Sequence, residues 1–177
     1  MESYGVDDDA EMVEMSRLKG LQAQPADITA HLSQLPTGSL GGVFSGRRIE
    51  HLDPAALQTF LSLAYRYVRP GGTLVCETPN TRSLFAIADT CYRDPTYQKP
   101  VHLGTYRFIA QAAGFADVEL SYSLEVLEAW AVEPTGASAY TDPSLQALVR
   151  EVNSRLRRGD EQVFGYQRVA LIARKAD

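Results

Sequence analysis

Few groups in this chain can do chemistry, and most of them are carboxylates and imidazoles placed where a strand-like run gives out. Asp7, Asp8 and Asp9 follow the short run Ser3-Tyr4-Gly5-Val6. A carboxylate at the carboxyl end of a parallel strand stands at the ligand-binding edge of an open sheet. The same run can also cap a helix: Asp8, with Glu11 three positions on, has the capping-box spacing. Asp27 follows a second, weak strand, Leu21 to Gln24, and reads either as a ligand acid or as another N-cap. Ser45 and Gly46 end the run Gly41-Gly42-Val43-Phe44-Ser45, and small residues there let a ligand approach the backbone. Glu50 and His51 follow on the same edge. His51 is a candidate general base toward a hydroxyl, or a histidine held by nearby backbone. The stretch from Thr78 to Leu103 adds two further candidates, Asp94 and His102, among Arg82, Tyr92, Arg93, Tyr97 and Lys99. Hydroxyls, charges and aromatics in that mixture suit a polar small molecule, though a solvated loop has the same composition. No Asp/His cluster has metal-ligand spacing, so no metal site is expected.

Positioning these groups requires alternating strands and helices, the signature of an α/β fold with a largely parallel sheet. A helix is predicted from Ala10 to Lys19, with Gly20 as its stop. A short helical stretch follows around Thr29–Leu35, ending at Pro36-Thr37-Gly38. Asp53-Pro54 opens the clearest helix, with Asp as N-cap and Pro at the first helical position. Its apolar face is Leu57, Phe60, Leu61, Ala64, Tyr65 and Val68. Arg69-Pro70-Gly71-Gly72 reads as a turn that ends it, and Thr73–Glu77 as the next strand. Residues 78–103 read as one long loop. Thr105–Ala113 is helical, Val118–Tyr122 a strand, and 124–141 has no clean period. A last helix opens at Asp142-Pro143, carries Leu145, Leu148, Val149, Val152 and Leu156 on one face, and is expected to close at Gly159. Residues 124–162 thus read as an inserted segment with one helix. Phe164–Ala173 is the final strand, expected to run antiparallel to the others.

Composition narrows the function classes. The chain has 177 residues, 45% hydrophobic and 22% charged, which fits a single globular domain. Its formal net charge is −5, against a general nucleic-acid binder, which needs clustered Lys and Arg. The basic cluster Arg155, Arg157 and Arg158 falls where the last helix is expected to end and reads as dipole pairing. No apolar run reaches the ~18–20 residues of a membrane span. The acidic N-terminus lacks a secretory signal, and two cysteines without CxxC spacing give no disulfide framework. A cytoplasmic location is the expectation.

The order of segments carries a resemblance. Gly5-Val6-Asp7, Ile49-Glu50-His51-Leu52, Arg69-Pro70-Gly71-Gly72, Glu77-Thr78-Pro79-Asn80, Tyr92-Arg93-Asp94-Pro95-Thr96 and Ala113-Gly114-Phe115 follow one another as in class I S-adenosylmethionine-dependent methyltransferases. The chain resembles that family from Tyr4 to about Tyr122. The Glu-Thr-Pro-Asn and Asp-Pro-Thr pieces look most like methyltransferases of polysaccharide assembly. The resemblance implies a Rossmann-like sheet flanked by helices, S-adenosylmethionine as cofactor and S-adenosylhomocysteine as product. It implies that Asp7, with Asp8 beside it, holds the ribose, and that Asp27 and Ile28 meet the adenine. Ser45 and Gly46 would lie against the sulfonium end, and the 78–103 loop would cover a small polar or glycan acceptor. His51, Asp94 and His102 would be its catalytic candidates.

The family's first strand and the glycine-rich turn after it have no counterpart here. A chain lacking its N-terminal part is therefore expected, with a homodimer or an upstream partner segment completing the sheet. Two rivals remain at this level. One is a non-catalytic scaffold that binds a partner through the gap in its sheet. The other is a nucleotide-binding oxidoreductase, which shares the strand-ending acid but needs the same glycine turn.

Overall fold

Proline at the first helical position and an aspartate before it set the start of the best-buried helix. The computed structural model, which describes residues 2–98, 100–125 and 143–177, places this helix (α3) at Pro54–Tyr67. Asp53 caps it by accepting from the Ala56 amide at 2.8 Å. Leu57, Phe60, Leu61 and Ala64 are buried at the predicted spacing, joined by Tyr67. They pack with Leu74, Cys76, Leu171 and Ala173 in one core.

Before α3 come β1 (Gly5–Asp7), α1 (Ala10–Leu18), β2 (Ala23–Pro25), α2 (Ile28–Ser33) and β3 (Leu40–Gly46). After it come β4 (Val68–Pro79), α4 (Leu84–Ala86, continued by a π turn over Ile87–Cys91), α5 (Leu103–Ala112), β5 (Asp117–Glu125), α6 (Pro143–Val163) and β6 (Tyr166–Arg174). The class is α/β, as the alternation requires. β1 pairs with β2 in parallel, and β3 with β4 in parallel. β6 lies between β4 and β5 and runs antiparallel to both.

The strands form two sheets, β1–β2 and β3–β4–β6–β5. β1 and β3 are therefore not paired with each other. Among the described residues β3 is an edge of the larger sheet.

Four sequence expectations need correction. Asp9, not Asp8, caps α1: its carboxylate accepts from the amides of Glu11 and Met12, and the capping-box spacing from Asp8 misreads the start by one residue. Arg69–Gly72 does not separate helix from strand. β4 begins at Val68, and these residues loop out between the pairings Leu40–Val68 and Gly42–Thr73. Residues 78–103 are not one loop, since β4 continues to Pro79 and Ser83 caps α4. Gly159 does not end α6, which runs on to Val163. That leaves Arg155, Arg157 and Arg158 inside the helix, with Arg155 paired to Glu151 at 2.8 Å. The predicted apolar face of α6 stays largely open, Leu148 being 58% exposed. Most of the 124–141 segment, Asp142 and Lys99 lie outside the described residues.

Candidate functional site

Two strand ends meet at a cavity of about 500 Å³. One wall is the end of β1 with the residue after it: Val6, Asp7 and Asp8. Facing them are the last residues of β3 (Val43, Phe44, Ser45, Gly46), followed by Arg47 and Arg48. Ala26 and Ile28 flank Asp27 along the rim, and His51 and Thr96 complete it. The volume is within the range of small-molecule sites, ~300–1,000 Å³.

The three N-terminal acids have separate duties. Asp9 belongs to the α1 cap. Asp7 Oδ1 accepts from the Asp9 amide at 2.9 Å, a turn that fixes its carboxylate at the end of β1. Asp8 Oδ2 accepts from Arg48 Nη1 at 2.9 Å, and this hydrogen bond holds its carboxyl below the usual carboxylate range. Arg48 also stands 3.8 Å from Asp27 Oδ2, so one guanidinium bridges the two rim acids. Arg48 Nε is buried without a hydrogen-bond partner. Asp27 Oδ1 caps α2 through the Ala30 amide at 2.8 Å. Asp27 thus fills the cap role, with Ala26 and Ile28 beside it on the cavity wall.

At the β3 end, a Cβ on Gly46 would lie 3.0 Å from Phe44 Cε1, so the exposed Phe44 ring would have to give by a few tenths of an ångström. Arg47 follows with φ 52°, in the left-handed region that non-glycine residues seldom occupy. That strained residue turns the chain from β3 into a single 3-10 turn, Ile49–His51. Arg48, central to the rim, acts through partners distant in sequence, Asp8 and Asp27. The adjacent pair Arg47-Arg48 after a strand-ending Gly46 was its only signal.

The 94–98 segment is clamped onto this turn. Thr96 Oγ1 lies 2.9 Å from His51 Nδ1 and 2.7 Å from Asp94 Oδ1. The Tyr97 ring meets His51 edge-on, with centroids 4.6 Å apart. Tyr97 Oη accepts from Arg47 Nη2 at 2.9 Å and donates to Glu50 Oε1 at 3.3 Å. The Gln98 amide donates to the Glu50 carbonyl at 3.1 Å. Burial pushes the Glu50 carboxyl up from the ordinary range, and its Oε2 has no hydrogen-bond partner. Burial also raises the Tyr97 hydroxyl, which keeps the proton it shares with Glu50.

His51 and Thr96 therefore join Asp7, Asp8, Ser45, Gly46 and Ile28 around one cavity, with Asp94 tied to it through Thr96. His102 is placed elsewhere: it is the N-cap of α5, its Nδ1 accepting from the Gly104 amide at 3.1 Å, and it does not line the cavity. In the sequence Thr96 stands out only as part of the Asp94-Pro95-Thr96 segment. Its role shows only once the fold brings residue 96 to residue 51.

A family model described as a methyltransferase domain matches residues 1–76. A solved SAM-dependent methyltransferase from Archaeoglobus fulgidus shares 32% identity, at a TM-score of 0.86. The alignment covers 99% of this chain and 76% of that one. The chain belongs to the S-adenosylmethionine-dependent methyltransferases. Two more distant structures share the fold. Phosphoethanolamine N-methyltransferase 2 of Haemonchus contortus, in complex with S-adenosyl-L-methionine, is 17% identical at a TM-score of 0.60. That alignment covers 98% of this chain and 43% of that one. A putative methyltransferase of Haloferax volcanii, solved with the Trm112 methyltransferase activator, is 16% identical at a TM-score of 0.61, covering 98% of this chain and 71% of that one. No curated protein matches the chain significantly.

S-adenosylmethionine is the cofactor of this family, and the cavity fits it. A carboxylate at a strand end suits a ribose diol, Ala26 and Ile28 give an apolar wall for a flat base, and Ser45 and Gly46 place small residues at the β3 end. Among the described residues no helix is long and apolar enough to cross a membrane.

Proposed function

We propose that this methyltransferase acts on a hydroxyl of a small polar acceptor, such as a sugar or glycan unit. One observation carries the reading: His51 lines the same cavity as Asp7, so a proton acceptor and a ribose-type acid share one chamber. In this reading Asp7, with Asp8 beside it, holds the ribose. Ile28 and Ala26 flank the adenine, with Asp27 at the rim. Ser45 and Gly46 leave room for the methyl-bearing end. When bound, S-adenosylmethionine would supply an electrophilic methyl group, and an acceptor hydroxyl that takes it up would have to give away its proton. His51 takes that proton as general base. The rest of the task is alignment of the acceptor oxygen. The polar 92–98 segment, with Tyr92 and Arg93, gives hydrogen-bonding groups suited to a sugar, and His102 lies beyond its far end.

The divided sheet adds a second element to this reading. β1 and β3 both border the cavity and lie in different sheets. A strand from a second copy of this chain would pair there, because unpaired strand edges are templates for pairing. A dimer mass by light scattering is expected, and a monomer mass counts against the pairing.

The acceptor reading is tested by incubating the chain with S-adenosylmethionine and a panel of sugars, sugar phosphates and amines, and measuring S-adenosylhomocysteine. Turnover with hydroxyl acceptors that falls about 10²-fold or more in His51→Gln is expected, the usual range for a lost acid–base group. Turnover confined to amines rejects the hydroxyl assignment, and hydroxyl turnover unchanged in H51Q rejects His51 as the base.

A further inference from the structure

The contacts around Thr96 fix where protons can sit. A threonine hydroxyl has one proton to give and lone pairs to accept with. Thr96 Oγ1 is 2.7 Å from Asp94 Oδ1 and 2.9 Å from His51 Nδ1. Asp94 also accepts from the Thr96 amide at 2.9 Å. The Thr96 hydroxyl and amide hold the Asp94 carboxyl below its ordinary range. A carboxylate can only accept, so the single hydroxyl proton goes to Asp94. Were it given to His51 instead, two oxygens would face each other at 2.7 Å with no proton between them. Thr96 Oγ1 must then accept from His51, and in a neutral imidazole the nitrogen that donates is Nδ1.

We propose that Asp94 and Thr96 are positioning residues that hold the His51 proton on Nδ1 and so leave Nε2 as the nitrogen free to accept a proton. This rests on the reading of His51 as base in the preceding subsection. The relay runs Asp94 carboxylate, Thr96 hydroxyl, His51 imidazole. It serves the purpose of a carboxylate that orients a catalytic histidine, with a hydroxyl interposed. Tyr97 supplies the second restraint, its ring lying edge-on to the imidazole. Arg47 and Glu50 hold Tyr97 through its hydroxyl, and the Gln98 amide ties the same segment to the Glu50 carbonyl. The charged groups facing His51 from this segment and turn are thus Asp94, Arg47 and Glu50.

The relay makes a demand that does not depend on activity. Nitrogen-15 spectra of the three histidines, with His51 assigned by loss of its signals in His51→Gln, report which ring nitrogen carries the proton. In the parent chain at a pH where the ring is neutral, His51 is expected to show a protonated Nδ1 and an unprotonated Nε2. Thr96→Val removes the acceptor, and the proton is expected to move toward Nε2; Thr96→Ser is expected to restore the parent pattern. Thr96 is exposed and valine is nearly isosteric, so folding is not at risk. In the methyl-transfer assay kcat is expected to fall about 10-fold or more in Thr96→Val and to recover in Thr96→Ser, with affinity for S-adenosylhomocysteine unchanged within about twofold. A parent His51 with its proton on Nε2, or one indifferent to Thr96→Val, overturns the proposal. A tautomer that shifts in Thr96→Val while kcat does not leaves the relay standing and rejects His51 as the base.

Discussion

Replacing Asp7 by Ala should weaken binding of S-adenosylhomocysteine by about 10–150-fold. Asp7 sits at the end of β1 on the cavity wall, with Oδ1 steadied by the Asp9 amide. Hydrogen bonds to a charged group contribute ~1.5–3 kcal/mol net, and each ~1.4 kcal/mol is a factor of ten in Kd. The exposed position of Asp7 places the effect in the lower part of that range. Asp9→Ala is the matched control. It deletes the α1 cap, which should cost ~0.5–2 kcal/mol of stability, or roughly 1–8 °C in Tm at ~2–4 °C per kcal/mol. It leaves the cavity wall intact, so Kd should stay within about twofold. Calorimetric titration with S-adenosylhomocysteine, paired with thermal melts, separates the two. If Asp7→Ala binds as well as the parent, the ribose assignment is wrong. If Asp9→Ala loses affinity as Asp7→Ala does, the division of duties among the three acids is wrong.

Glu50→Gln should raise stability at pH 7–8. Burial raises the Glu50 carboxyl in the folded chain, so the folded state favours the protonated form. Stability from that group is complete below the ordinary carboxylate range, near about pH 4, and is lost as pH rises through the raised value. The Tm advantage of E50Q should therefore shrink on acidification and vanish near pH 4; an advantage that grows there contradicts the sign. Gly114→Ala should destabilise by about 1–3 kcal/mol. Gly114 has φ +114°, and a Cβ there would meet the Tyr65 ring at 2.6 Å. A denaturant melt with an unchanged midpoint would show that Tyr65 yields easily.

Much of the fold was legible because local signals agreed. Asp53-Pro54 and the spacing from Leu57 to Ala64 placed α3 and its buried face. The alternation of strands and helices gave the class, and the antiparallel last strand matches β6. Local reasoning failed where three-dimensional pairing decided. Asp7, Asp8 and Asp9 are equivalent as capping types, and only the path of β1 selects Asp9 for α1. Arg69–Gly72 has turn chemistry, yet β3 pairs with Val68 on one side of it and Thr73 on the other, so it became a loop-out within β4. Gly159 costs a helix only about 1 kcal/mol, too little to stop α6.

The site was legible in part for the same reason. Acids at strand ends can be read from the chain, and Asp7 and Asp8 do line the cavity, as do Ile28, Ser45, Gly46 and His51. Arg48 acts through partners far away in sequence, Asp8 and Asp27, and no local pattern announces that. Thr96 meets His51 across 45 residues and carries a side chain that looks like any loop hydroxyl.

The most direct test of the cofactor chamber is a titration of the nitrogen-15-labelled chain with S-adenosylhomocysteine, followed through its backbone amide spectrum. Saturable shifts are expected at Asp7, Asp8, Ala26, Ile28, Ser45 and Gly46, with α6 unmoved. Saturable shifts centred elsewhere, or none at millimolar ligand from a folded chain, would contradict this placement of the cofactor.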